Sequence, residues 1–317
     1  MKKTLVLVGN WETVCKKVYE RAQELISKYR IKPTLRSLFY WAADAEGLIV
    51  HSQVAYKKLS ENFRKWREKH GCLDILEDRT RKIVRYDNRE LKDLKATVRR
   101  SIQRLVKWLR EESWKVPRWY GQVTHVELWV EKETITLVDL IARELQVDVF
   151  PTRGFSSATK LFEAAQYLGK HQRLNIVLIL TDWDPSGWQI AKTYEEKAKQ
   201  YGASAYFEVI AVLPEQIEKY ELPTIPPDDP SFKRILRDSR AKAWVEYCAT
   251  WGLDPKPVEL DAFAGLRPQE FKDLIAEKVD SLFDKKTHDE VKKLEPKRKQ
   301  EAEELATKLE ELLKQSK

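Results

Sequence analysis

The segment LNIVLILTD, residues 174–182, constrains this chain most. An apolar run of that length, without alternation and bounded by polar residues, reads as a strand buried on both faces. Such a strand needs helices above and below it. The surrounding sequence supplies them. VTHVELWV (123–130), VDVFP (147–151) and SAYFEVIAVL (204–213) read as further strands. TITLVDLIARELQ (134–146), ATKLFEAAQYLG (158–169) and GWQIAKTYEEKAKQYG (187–202) read as the helices between them. This rhythm predicts an α/β domain with a mostly parallel sheet covered on both faces.

That domain is expected to span 119–317. The aromatic stretch SWKVPRWYGQ (113–122) marks its start and PTIPPDDP (223–230) a proline-rich loop. Residues 240–283 read as mainly helical. The Lys/Glu-rich tail 285–317, with Leu305, Leu309, Leu312 and Leu313, reads as a terminal amphipathic helix.

Residues 1–118 have a different rhythm. A helix is expected over 11–30, with Val14, Val18, Leu25 and Ile26 on one face. A second is expected over 34–47, capped by Thr34 and ended by Gly47, and a third over 52–70, ended by Gly71. Two short extended pieces, CLDIL (72–76) and KIVRYD (82–87), follow, and then a basic helix over 90–112. Three helices and a small hairpin are the order of a winged helix-turn-helix.

Charge divides along the same line. Residues 1–120 hold 29 Lys and Arg against 15 Asp and Glu, whereas the remainder holds 29 against 35. A basic half of that size suits a polyanion. The third helix carries Lys57, Lys58, Arg64, Lys65, Arg67 and Lys69, a set suited to double-stranded DNA in the major groove. The same residues also read as an ordinary solvated helix face. Three distant cysteines and the lack of an HExxH motif exclude zinc ribbons, disulfide frameworks and zincin sites. The five-residue apolar run near the N-terminus is too short for a signal peptide, and no 18-residue apolar stretch occurs. A soluble, cytoplasmic chain with no membrane partner is therefore expected.

Open parallel sheets bind ligands at the carboxyl ends of their strands. Two acidic features fall there: Glu131 after VELWV, and Asp182 and Asp184 after LNIVLIL. Three carboxylates in one cleft call for a hard cation, and Mg²⁺ fits oxygen ligands and phosphate chemistry. The alternative is structural, since an Asp before Pro-Ser-Gly also reads as a helix cap and turn.

A Glu after one strand and an Asp-x-Asp after a later one resemble the Toprim domain of topoisomerases and primases. Upstream, TLRSLFYW (34–41) resembles the RxxYY motif of the topoisomerase VI A subunit and the related meiotic double-strand-break protein. TRGFSSATKLF (152–162) is similar to that family's Gly-Pro-x-x-Ala-Thr-Arg loop, with Lys160 in place of Arg and no Pro after Gly154. VLPEQIEKYELP (212–223) is also similar to these Toprim domains. The resemblance covers roughly residues 10–280. The chain begins almost at the first helix and its tail is unlike that subunit's, which fits a smaller stand-alone relative.

The resemblance implies a winged-helix domain followed by a Toprim domain. It implies that Tyr40 attacks a DNA phosphorus, leaving a 5′-phosphotyrosyl link and a 3′-hydroxyl. Arg36, one turn earlier, would steady the phenolate or the phosphate. Glu131, Asp182 and Asp184 would hold Mg²⁺, with Glu131 also serving as acid or base. Lys160 would join the DNA-binding set. A homodimer is implied, with the tyrosine and acids that meet coming from different subunits. A separate B-type ATPase subunit is not inferable from this chain. Two other readings stay open: a hydrolytic Toprim nuclease in which Tyr40 only packs, and a non-catalytic DNA-binding module.

Overall fold

A computed structural model describes residues 10–30, 32–76, 93–131, 136–152, 158–170 and 173–315. In chain order the first helices are α1 (Trp11–Tyr29), α2 (Leu35–Tyr40), α3 (Gln53–His70) and α4 (Leu94–Glu111). Strands and helices then alternate as β1 (Thr124–Val130), α5 (Thr136–Leu145), β2 (Asp148–Pro151), α6 (Ala158–Lys170), β3 (Leu174–Leu180), α7 (Pro185–Gln200) and β4 (Ala205–Ala211). Helices complete the chain: α8 (Pro214–Lys219), α9 (Pro230–Ile235), α10 (Ala241–Thr250), α11 (Leu260–Leu266), α12 (Pro268–Ser281), α13 (Lys285–Lys292) and α14 (Glu295–Gln315).

The expected α/β architecture is present. The four strands are all parallel, in the order β2-β1-β3-β4. In β3 every residue after Leu174 is buried, and from Val126 onward so is every residue of β1. That two-faced burial is why LNIVLIL does not alternate. The chain leaves β1 toward β2 and returns to the other side of β1 as β3. The β1–β3 junction is thus the switch point, where strand ends leave a crevice.

Contacts gather the described residues of 1–81 and 124–281 into one compact unit, and those of 82–123 and 282–317 into another. Helices α1 to α3 therefore belong with the sheet, although the sequence reading divides the chain at 118. In the first unit, Val14, Val18, Ala22 and Leu25 of α1 pack with Leu38 and Phe39 of α2 and Leu59, Phe63 and Trp66 of α3. Thr34 and Ser52 cap α2 and α3, as their side chains accept from the N–H of Ser37 and Ala55. Gly71, at φ 66°, closes α3 in the left-handed region.

Two local expectations are corrected. The helix read over 34–47 is α-helical only to Tyr40, and residues 41–45 form a π-helical turn. CLDIL is not extended: Leu73–Ile75 is a 3₁₀ turn, because the chain folds back at Gly71 and Ile75 drops into the α1–α3 core. KIVRYD lies outside the described residues.

The second unit joins α4 to the tail. Val106 and Leu109 meet Ala306, flanked by Ile102 and Leu309. Leu305 and Leu312 of the anticipated stripe are exposed, whereas Ala302 and Ala306 are buried, since small residues let two helices approach closely. Arg110 donates to both oxygens of Glu310, at 2.7 and 3.1 Å, and to Glu303 at 3.0 Å. Gln122 and Asp284 exchange two hydrogen bonds, at 2.9 and 2.8 Å.

Helix α11 lies tightly on α2. A Cβ on Gly265 would fall 2.9 Å from the Ser37 carbonyl oxygen and 3.0 Å from its Cα, both backbone atoms that cannot rotate away. Gly265→Ala is expected to cost about 1–3 kcal/mol by overpacking. Chemical denaturation should record this as a lower midpoint.

Candidate functional site

The sequence-selected acids gather at the switch point. Glu131 follows the last residue of β1, and its N–H donates to the Leu180 carbonyl at 2.9 Å. Its Oε2 accepts from the hydroxyl of Thr181 and, at 3.1 Å, from the N–H of Asp182. Asp182 in turn accepts from the N–H of Leu260 at 2.7 Å. Asp184 behaves as the capping alternative expects: its Oδ1 accepts from the N–H groups of Ser186 and Gly187, both at 2.8 Å. Gly187 is needed there, since a Cβ would lie 2.0 Å from the Asp182 carbonyl oxygen.

Burial, then the charge of Asp182, pushes Glu131 up to about 7. Negative charge is thus in excess at this strand end. A neighbouring cation responds to it: Arg240 is held above its usual value mainly by its bond to Asp238, and further by the charges of Asp184 and Glu131. The donors are hard oxygens from carboxylates and a hydroxyl, the set that suits Mg²⁺. A cavity of about 490 Å³ adjoins Asp182, walled by Trp183, Trp188, Tyr247 and Trp251.

Tyr40 and Arg36 converge on a residue the sequence reading missed. Tyr40 donates its hydroxyl to Oε2 of Glu259 at 2.5 Å. Arg36 donates Nε to the same oxygen at 2.7 Å and a second nitrogen to Oε1, a bidentate fork. Burial, and then the Glu259 carboxylate, holds the Tyr40 phenol well above its usual range. The three side chains border a narrow cleft with His51, Tyr56 and Asp229.

Glu259 is placed by backbone. Trp183 and Val258 exchange N–H···O bonds of 2.8 and 3.0 Å in an isolated antiparallel bridge, and Leu260 binds Asp182. One short segment therefore runs from the acidic strand end to Tyr40. The legible signal is an acid after a Pro-Val pair and directly before an apolar helix.

The basic helix is arranged as one expects of a surface helix. Leu59, Phe63 and Trp66 face inward, while Lys57 and Lys58 are exposed. Arg64 pairs with Glu68, Lys65 with Glu61, and Lys69 lies 3.9 Å from Glu12. Arg67 turns back to the Leu73 carbonyl at 3.0 Å. The side chain of Lys160 lies outside the described residues.

A second group of metal-ligating type sits nearer the amino end of β1. Ligand atoms of His125, Glu127 and Asp148 lie within 4.8 Å of one another. Glu127 accepts from Trp129 Nε1 at 2.7 Å, and its other oxygen is 3.0 Å from His125 Nε2. His125 is six residues before Glu131, about 20 Å along a strand, so this group is separate from the switch-point acids. Among the described residues, no helix is long and apolar enough to cross a membrane.

No protein-family model matches the chain, and no curated protein matches it in sequence.

The raised Glu131 carboxyl has a measurable consequence. Between its usual 4.5 and about 7, the folded chain binds a proton that the unfolded chain has released. Stability contributed by this group is therefore lost as pH rises through that window. Glu131→Gln should raise the metal-free melting temperature near pH 8 and change it little near pH 5. Thermal melts of both proteins in chelator check this.

Proposed function

We propose that this chain cleaves double-stranded DNA by Mg²⁺-dependent tyrosine transesterification, in the manner of the topoisomerase VI A subunit. In this reading α1 to α3 belong to a winged-helix domain and the parallel sheet to a Toprim domain. The exposed Lys57 and Lys58, with Arg64, Lys65 and Lys69, would meet the phosphates. The protein would act in the cytoplasm, on the nucleoid if its host is prokaryotic. Two copies would act together, one cut per strand; the tyrosine and the acids linked to it here belong to the same chain, which departs from the resemblance, where those that meet come from different subunits.

One observation carries the proposal. The tyrosine, its arginine and the strand-end acids are linked through two consecutive residues, Glu259 and Leu260. A packing tyrosine needs no guanidinium fork and no tie to an acidic crevice. Arg36 would bind a phosphate oxygen and steady the developing charge on Tyr40. Mg²⁺, held by Glu131 and Asp182 with Asp184 beside them, would neutralise the phosphate and the leaving 3′-oxygen. Thr181 and the Asp182 N–H orient Glu131 for that role.

The burial of Tyr40, at 3% exposure, favours a second reading. In a hydrolytic nuclease the attacking group would be water at the same acids, and Tyr40 would only pack.

Two sets of variants separate these readings. Supercoiled plasmid is incubated with Mg²⁺ and quenched in denaturant, and the DNA is resolved with either end labelled. Tyr40→Phe should abolish the 5′ adduct while leaving DNA affinity within about threefold, since it deletes only a hydroxyl. Asp182→Asn should abolish cleavage altogether. Nicking by Tyr40→Phe at the wild-type rate would select the hydrolytic reading.

DNA affinity is expected to be electrostatic. If about six phosphates are neutralised, affinity should fall roughly 10³-fold between about 50 and 200 mM salt. A flat salt dependence in a filter-binding titration would exclude the basic helix as the DNA contact.

A further inference from the structure

We infer that Glu259 is the catalytic group that takes the Tyr40 proton as the phenol attacks phosphorus; this rests on the transesterification reading above. The geometry is that of a general base and its nucleophile. The Tyr40 hydroxyl already points at Glu259 Oε2, 2.5 Å away, within the range that proton transfer needs. Arg36 grips both carboxylate oxygens, which fixes the rotamer of Glu259 and leaves a cation beside the oxygen that will become charged.

The other titratable groups around Tyr40 are engaged elsewhere. The His51 ring is 5.4 Å from the Tyr40 ring, and its Nδ1 faces both oxygens of Asp44 at 2.9 and 3.0 Å. Asp229 caps α9 through the N–H of Ser231. Tyr56 lies across the Arg36 guanidinium, 5.7 Å from its ring centre.

A preformed phenolate is not available in this setting. Burial and the Glu259 carboxylate both favour the neutral phenol. The proton must therefore leave while the new bond forms, and it needs an acceptor already in place. In the step, the Tyr40 O–H proton passes to Glu259 and the Tyr40 oxygen bonds to phosphorus. The bond from phosphorus to the 3′-oxygen breaks, and that oxygen takes a proton from water. Resealing runs the same transfers in reverse, with Glu259 returning its proton to Tyr40.

Glu259 is also held rigidly. It is the cap residue of α11, whose Gly265 abuts the Ser37 backbone of the helix that carries Arg36 and Tyr40. Acceptor and nucleophile thus sit on two elements in backbone contact, which limits drift between them.

The test is the pH profile of adduct formation, with full-length wild type, Glu259→Gln and Glu259→Asp on the same Mg²⁺-loaded plasmid. The profile runs from about pH 7.5 to about 9.5, above the usual histidine range. Wild type should vary little. Glu259→Gln should form adduct at least about 100-fold more slowly near pH 7.5, with unchanged DNA affinity. Its rate should then climb roughly tenfold per pH unit, as hydroxide replaces the missing acceptor. If Glu259→Gln has lost its cooperative melt, Glu259→Asp decides: a slower rate with the wild-type profile supports the assignment, and an unchanged rate overturns it.

A Glu259→Gln rate within about threefold of wild type, or faster, overturns the assignment, as does a rate depressed by one factor at every pH. These outcomes leave the transesterification reading intact. A wild-type protein that nicks DNA with no adduct overturns that reading and this assignment together.

Discussion

Three hydrogen bonds donated by main-chain N–H groups organise the unit that contains the sheet. Trp183 and Val258 exchange two, and Leu260 gives a third to the side chain of Asp182. Past β3 the chain has left the ladder, and buried N–H and carbonyl groups there must find partners. Residues 258–260 supply them. In doing so they fix the start of α11, bury Trp183, and hold Asp182 in one orientation. Gly187 adds a steric condition on the same turn, because no side chain fits between α7 and the Asp182 carbonyl. The crevice is thus shaped by main-chain atoms and its acids are positioned rather than free to splay.

Two carboxylate environments result, one at the cap of α11 and one at the end of β1. Glu259 faces a guanidinium that contacts both its oxygens. Glu131 faces another carboxylate, and accepts from a hydroxyl and a backbone N–H. The first is a compensated ion pair, whose loss of one partner would strand a charge. The second carries surplus charge, which a proton or a cation relieves.

Much of this was legible because burial writes itself into residue order. LNIVLIL could only be a two-faced strand, and its end located Asp182. Thr34, Ser52 and Gly71 marked helix limits through capping chemistry that acts over a few residues. What escaped was long-range or too local for periodicity. Nothing near Glu259 announces Arg36, 223 residues earlier. The π-helical turn after Tyr40 leaves the apolar pattern nearly intact. Of the tail leucines, Leu309 joins the contact with α4 while Leu305 and Leu312 are exposed, and Ala306 lies at its centre, since close helix packing rewards small side chains.

The second unit is discontinuous in sequence, and that bears on the order of events during synthesis. Arg110 leaves the ribosome 193 residues before Glu303, the partner it grips. At about 5–20 residues per second, α4 waits roughly 10–40 s for α14. Val106 and Leu109 remain uncovered for that time, while the whole sheet is made between them and their partner. The α4–α14 pair therefore closes after the strands of the sheet have been made. It forms only once α14 has been made, and a chain cut short before α14 would expose the apolar face of α4, a feature that chaperones and proteases recognise.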